Sequence, residues 1–176
     1  MKRLLPLLLI LAACSRNPYQ DKIAEIDRMI LQIDSTQQDL GQFTNEDVGQ
    51  QMKRLTPYVN YFRDSVQDPT NRELWVTHMS RLHDLYSSLT KYNIAREKLI
   101  EEGDKTQKQL ETLKHDLKHE LLDSTRADQY FNDEVRYFNQ WRGQAIKRVS
   151  KAEYARDHMD EFMPILDSIY NHYARP

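Results

Sequence analysis

Apolar residues recur every three or four positions along nearly the whole chain, while its 176 residues include only four glycines and six prolines. Few folds suit that combination. Three-four spacing puts an apolar stripe on one side of an α-helix, and such a helix gains most of its stability by packing the stripe against a neighbour. The first seam runs through Ile23, Ile26, Ile30, Ile33 and Leu40, with Gln37 at the remaining position of the register. Scarce glycine argues against a glycine-rich phosphate loop, a turn-rich β-sandwich or a flexible linker. Abundant Gln, Glu, Lys, Arg, Leu and Met favour helix. The expected fold class is all-α, an elongated antiparallel helical bundle with coiled-coil-like segments and about five helices.

Caps and breakers set the expected boundaries. The first helix starts near Tyr19 and closes at Gly41, and Thr44-Asn45-Glu46-Asp47 then offers a cap with an acidic first turn. Val48, Met52, Leu55, Val59, Phe62 and Val66 make the second stripe. Pro57 lacks the amide for an i→i−4 bond and predicts a kink or short break there. Asp68-Pro69 ends the segment, and Thr70-Asn71 caps the next. Trp75, Met79, Leu82, Tyr86 and Leu89 form the third stripe, widened by Leu85 and Tyr92, with Ile94, Leu99 and Ile100 beyond it. As one helix, Arg72 to Glu102 spans about 46 Å, which predicts a rod.

Gly103-Asp104 reads as a C-cap followed by a new N-cap, after which Leu110, Leu113, Leu117 and Leu121 resume the pattern. Asp123-Ser124-Thr125 either interrupts that helix or lies on its wet face. Phe131, Val135, Phe138, Trp141 and Ala145 share a face, and Ser150 to Glu153 has capping-box spacing that predicts the start of a last helix. Ala152, Ala155, Met159, Phe162, Leu166 and Ile169 stripe that helix out to Tyr173, and Pro164 bends it. No tetratricopeptide-like period is present.

The first residues follow a different logic. Met1-Lys2-Arg3 is basic, Leu4 to Ala13 is apolar, and Leu11-Ala12-Ala13 leads to Cys14, the one cysteine. A short basic-then-apolar opening is that of a secretory signal. In this setting Leu11-Ala12-Ala13-Cys14 resembles the lipobox of bacterial lipoproteins. The resemblance implies a signal peptide over 1–13, a lipidated cysteine with a short tether over 14–18, and a single helical domain over 19–176. Acyl chains such as palmitate on Cys14 would tether the chain to a membrane without embedding it. Ser15, in place of the Asp that retains lipoproteins at the inner membrane, implies the outer membrane. Arg16-Asn17-Pro18 lacks the acidic run of some surface-displayed lipoproteins, which places the chain on the periplasmic face. A Gram-positive host would change this to the outer face of its single membrane. No later apolar run approaches the roughly 20 residues needed to span a bilayer. With Cys14 lipidated, no intramolecular disulfide can form, so packing alone must hold the fold.

Charge narrows the partners. There are 25 Lys and Arg against 27 Asp and Glu, interspersed along the chain, for a net charge of −2. Such a surface gives no footprint for nucleic acid or for anionic lipid.

Two groups of residues are candidate sites. His115 and His119, four apart on one helical face, could bind zinc or copper with a third ligand from elsewhere, although Lys114 and Lys118 beside them oppose a cation. His78 and His83 point apart, and His158 sits with Asp157, Asp160 and Glu161 on a polar face. The aromatics form the second group. Phe131, Phe138 and Trp141 can bury together, leaving Tyr130 and Tyr137 on an adjacent stripe, with Tyr154 and Tyr170 further on. Tyr58 and Tyr61, beside Pro57, are a second patch. Large rigid side chains gain contact area at little entropic cost, so these tyrosines are candidate partner contacts.

Catalysis finds no support. A nucleophile needs an oriented base and a means of stabilising negative charge, but no Gly-x-Ser-x-Gly elbow occurs and Cys14 is used by the lipid. The expected function is that of a lipid-anchored, non-enzymatic helical adaptor or accessory subunit that needs no cofactor and meets an envelope protein partner. A periplasmic metal- or small-ligand-binding sensor and an immunity-type inhibitor of a toxic enzyme are the alternatives.

Overall fold

A computed structural model of the chain describes residues 17–65 and 72–174. Among the described residues there are four α-helices and no strand: α1 Gln20–Gln42, α2 Asn45–Ser65, α3 Arg72–Lys118 and α4 Ser124–Ala174. The all-α expectation holds, with four helices in place of five. α3 and α4 run antiparallel over about 70 Å each. α1 and α2 lie end to end along one side of this hairpin, each packed on both long helices and not on the other. The molecule is a three-helix rod whose first helix is broken midway.

The core follows the heptad repeat that the stripes announced. Along α3, Leu82, Leu85, Leu89, Tyr92, Leu99 and Leu110 are buried at spacings of three, four or sums of the two. Along α4, Phe138, Trp141, Ala145, Ala152, Ala155 and Met159 do the same. An average repeat of about 3.5 keeps these faces in register over many turns. Two apolar residues of the expected stripes fall outside: Ile94 and Leu121 are 76% and 63% exposed.

Gly103 corrects the helix count. It lies inside α3 with a helical backbone, at a core position where its missing side chain matters more than its flexibility. A Cβ there would stand 2.7 Å from Trp141 Cζ2 and 2.7 Å from Gln37 Nε2. The glycine admits the indole and so does not end the helix. Ser150 likewise caps nothing: its hydroxyl donates to the Ile146 carbonyl at 2.8 Å within α4. Pro57 and Pro164 both lie inside unbroken helices. Each is exposed, and the residues four earlier, Lys53 and Asp160, are exposed as well, so water can reach the carbonyls that lose a donor. Thr56 Oγ1 adds a bond to the Met52 carbonyl at 2.7 Å.

The breaks that do occur are well built. Thr44 Oγ1 accepts from the Asp47 amide at 3.1 Å, and the Asp47 carboxylate accepts from the Thr44 amide at 3.1 Å and hydroxyl at 2.7 Å. This reciprocal cap starts α2, and the same bonds hold the Asp47 carboxyl below its usual range. Before it, the Tyr92 hydroxyl donates to the carbonyls of Leu40 at 2.8 Å and Phe43 at 3.3 Å, while Arg96 Nε reaches Leu40 O at 2.9 Å. Phe43 packs edge-on against Tyr92 and beneath the Arg156 guanidinium, 4.5 Å from the ring centroid.

The long helices are separated at 119–123, so of the expected Asp123-Ser124-Thr125 break only Asp123 lies in the turn, and Ser124 and Thr125 already begin α4. Glu120 takes a left-handed φ of 52°, Leu121 N donates to Asp116 O at 3.0 Å and Glu120 N to Leu117 O at 3.3 Å. That is a Schellman ending with glutamate where glycine is usual. Asp123 Oδ1 then caps α4 through the Arg126 amide at 2.9 Å. Asn17 Nδ2 donates to Leu117 O at 3.0 Å, and the Tyr19 hydroxyl to Leu122 O at 2.9 Å. The start of the domain is thereby fastened to the α3–α4 turn.

Candidate partner-binding groove

The six tyrosines singled out from sequence divide into two groups. Tyr58, Tyr61 and Tyr170 come together between α2 and the end of α4. Their rings meet edge-on, Tyr170 lying 5.8 Å from Tyr58 and 4.7 Å from Tyr61 between centroids. The Tyr58 hydroxyl donates to Asp167. Burial first, then that hydrogen bond and the Asp167 charge, push Tyr58 up to about 12. All three rings are half-buried and pack against the core, Tyr61 also meeting Phe62 edge-on at 5.4 Å.

Tyr130, Tyr137 and Tyr154 are 46%, 52% and 54% exposed. The heptad register places them along the side of α4 that faces away from α1 and α2. Beneath them Phe138 and Trp141 are buried, 6.4 Å apart, and Trp141 Nε1 donates to the Leu99 carbonyl at 2.8 Å. Phe131 is half-buried, with Lys22 Nζ 5.6 Å from its centroid. The expected split between buried rings and a tyrosine stripe therefore holds for this stretch.

On the side opposite α1, α3 and α4 enclose an open groove made of two adjoining hollows of about 350 and 620 Å³. Lys105 and Gln109 belong to both. One hollow is walled by Tyr130 and Glu134, the other by Tyr137, Gln140 and Gln144, with an edge of Trp141 in its floor. Lys98 and Glu102 face each other across 3.6 Å on the α3 wall. Glu134 Oε2 is buried without a hydrogen-bond partner, and burial together with the neighbouring Asp133 raises its carboxyl above the usual range. The groove lysines were not singled out from sequence. The signal was there, since Lys91, Lys98 and Lys105 fall one heptad apart.

The histidines lie elsewhere. His115 and His119 are exposed, with ring centroids 4.2 Å apart and His119 Nδ1 2.8 Å from the His115 carbonyl. Among the described residues no group of three or more His, Cys, Asp or Glu is placed to hold a metal ion. His78 stacks on Phe162 at 5.9 Å, and His158 stacks on Tyr154 at 4.0 Å. His83 Nδ1 lies 3.9 Å from Asp84 at an exposed site.

Cys14 lies outside the described residues. Among those described, no helix is long and apolar enough to cross a membrane. Comparison with protein-family models, curated proteins and solved structures gives no match.

Proposed function

We propose that the chain is a lipid-anchored envelope protein that acts without bond chemistry, as an adaptor or accessory subunit. The carrying observation is the uncovered α3–α4 groove, where Tyr130 and Tyr137 stand exposed beside buried Trp141. A bundle of three helices leaves such a groove wherever a fourth could lie, and rigid aromatic rims are what protein partners bury first.

The anchor rests on the lipobox resemblance at Cys14, with the outer membrane and its periplasmic face as the proposed location. Asn17 is three residues beyond Cys14 and is bound to the last carbonyls of α3. Three residues reach about 11 Å at most. A lipid on Cys14 therefore puts the α3–α4 turn at the membrane surface and lets the rest of the rod project from it. Lys98 then stands about 30 Å up the rod, within reach of other anchored proteins.

The test is affinity capture from native detergent-solubilised envelopes, with a Cys14→Ala control and mass spectrometry of bait and prey. A lipidated bait carrying one stoichiometric partner is the expected result. A lipidated bait with no specific partner would overturn the adaptor reading.

A further inference from the structure

The groove is more specific than a generic protein-binding face. We infer that it takes one acidic amphipathic helix from a second membrane-anchored protein, laid along α3 and α4 as a fourth helix of the bundle; this rests on the adaptor reading above.

Three observations carry it. The first is dimension. The groove is lined from Lys98 to Asp116 on α3, about 27 Å, the length of roughly five helical turns. A straight trough of that length between two antiparallel helices suits another helix.

The second is the charge of the rim. Among the described residues Lys105 and Lys108 make no ion pair, and the Lys98–Glu102 contact is exposed, where such a pair contributes little. One heptad farther from the turn, the register adds exposed Lys91 on α3, opposite exposed Lys147 and Lys151 on α4. The groove therefore has a cationic rim on its α3 side, at Lys98, Lys105 and Lys108, and lysines of both helices stand beyond its end farther from the turn. Its acids are Glu102, in contact with Lys98, and near the turn Asp116 and Glu134, so the excess of positive charge lies at Lys105 and Lys108 on the α3 wall. Flanking charges of this kind choose the partner and orientation of a docked helix and attract carboxylates.

The third is the floor. Buried Trp141 and Leu113 leave edges open to the groove, and Tyr130 and Tyr137 repeat at seven residues above them. A partner with small apolar residues in a seven-residue repeat, flanked by Glu or Asp, matches that spacing. An anionic polymer would find the lysines, but it would not use the apolar floor or the heptad spacing of the tyrosines.

The test places a photo-reactive phenylalanine analogue at Tyr137 in the full lipidated chain, with a second at Leu31 on the outer face of α1, 67% exposed. Cells are irradiated and adducts mapped by peptide mass spectrometry. The expected Tyr137 adduct falls on an acidic helical segment of a membrane-anchored protein. Lys98→Glu with Lys105→Glu should lower its yield at least tenfold, with the variant's helicity and Tm matching the parent. A Tyr137 adduct to a glycan, a lipid or a second copy of the chain would overturn the inference, as would a yield indifferent to charge reversal. An adduct with a partner at Leu31 and none at Tyr137 would sink the groove but keep the adaptor. No protein adduct at either position, with no partner on affinity capture, would remove both.

Discussion

Glu120 shows how much a single backbone angle can matter in this molecule. It occupies the left-handed position that ends α3, where a side chain costs about 1–2 kcal/mol and glycine nothing. Glycine loses more freedom on folding, by about 0.5–1 kcal/mol, so Glu120→Gly should stabilise the fold by about 0.5–1 kcal/mol. Urea titration of the two proteins checks this, and an unchanged or lower midpoint would refute it. Tyr58 is sensitive to pH. In the unfolded chain its hydroxyl titrates near 10, but folded it holds its proton to about 12. Its contribution is therefore complete below pH 10 and is lost as pH rises from 10 to about 12. Tyr58→Phe should flatten the fall of Tm in that window, and should lower Tm at pH 7 through the lost bond to Asp167. Parallel Tm profiles for the two proteins between pH 10 and 12 would contradict it.

At the scale of elements, the sequence was legible where the apolar register spoke alone. The cap at Thr44 stands where the pattern placed it, as do Ile23, Ile26, Ile33 and Leu40 of the first seam, while Met29 and Thr36 are buried where Ile30 and Gln37 were expected. It misled where a residue that often ends helices serves a neighbour. Gly103 is indistinguishable from a C-cap until Trp141, thirty-eight positions later, is known to fill its missing side chain. Ser150 has the spacing of a cap but bonds backwards to its own helix. The groove was half legible: the tyrosine stripe was visible, while the facing lysines needed the antiparallel pairing of α3 with α4. Gly103→Ala weighs these effects against each other. Helix propensity favours alanine by about 1 kcal/mol. Overpacking against an indole pinned by its bond to Leu99 O costs about 1–3 kcal/mol. Gln37 can move aside, but the indole cannot, so the variant should be less stable, by up to about 2 kcal/mol. A double-mutant cycle with Trp141→Phe should recover part of the loss. A gain in stability from Gly103→Ala alone would show that the indole is mobile.

For the whole molecule, the anchor proposed at Cys14 raises the question of how the rod would stand on a membrane. A rod lying flat needs a broad apolar or cationic flank. Among the described residues neither is broad: exposed Leu31, Val76, Ile94, Ile146 and Ile165 are scattered over different helices and turns, and the lysines of the groove form a single line along α3. Asn17 and Tyr19 are bonded to the α3–α4 turn, so the lipid proposed on Cys14 would have only a few residues between it and the fold. The rod should therefore project from the surface, with its turn close and the start of α3 far away. Spin labels at Leu121 and Val76, 63% and 57% exposed, would report this in vesicles carrying the lipidated protein. The two sites are separated by about 63 Å along α3. An upright rod puts the Leu121 label within about 20 Å of the headgroups and the Val76 label beyond about 50 Å. Relaxation by a lipid-bound paramagnetic reagent should then be strong at Leu121 and absent at Val76. Equal relaxation at both sites would mean that the rod lies down. In that posture the groove would face either lipid or water depending on its roll about the long axis, and a helix from a neighbouring anchored protein would have no fixed approach to it.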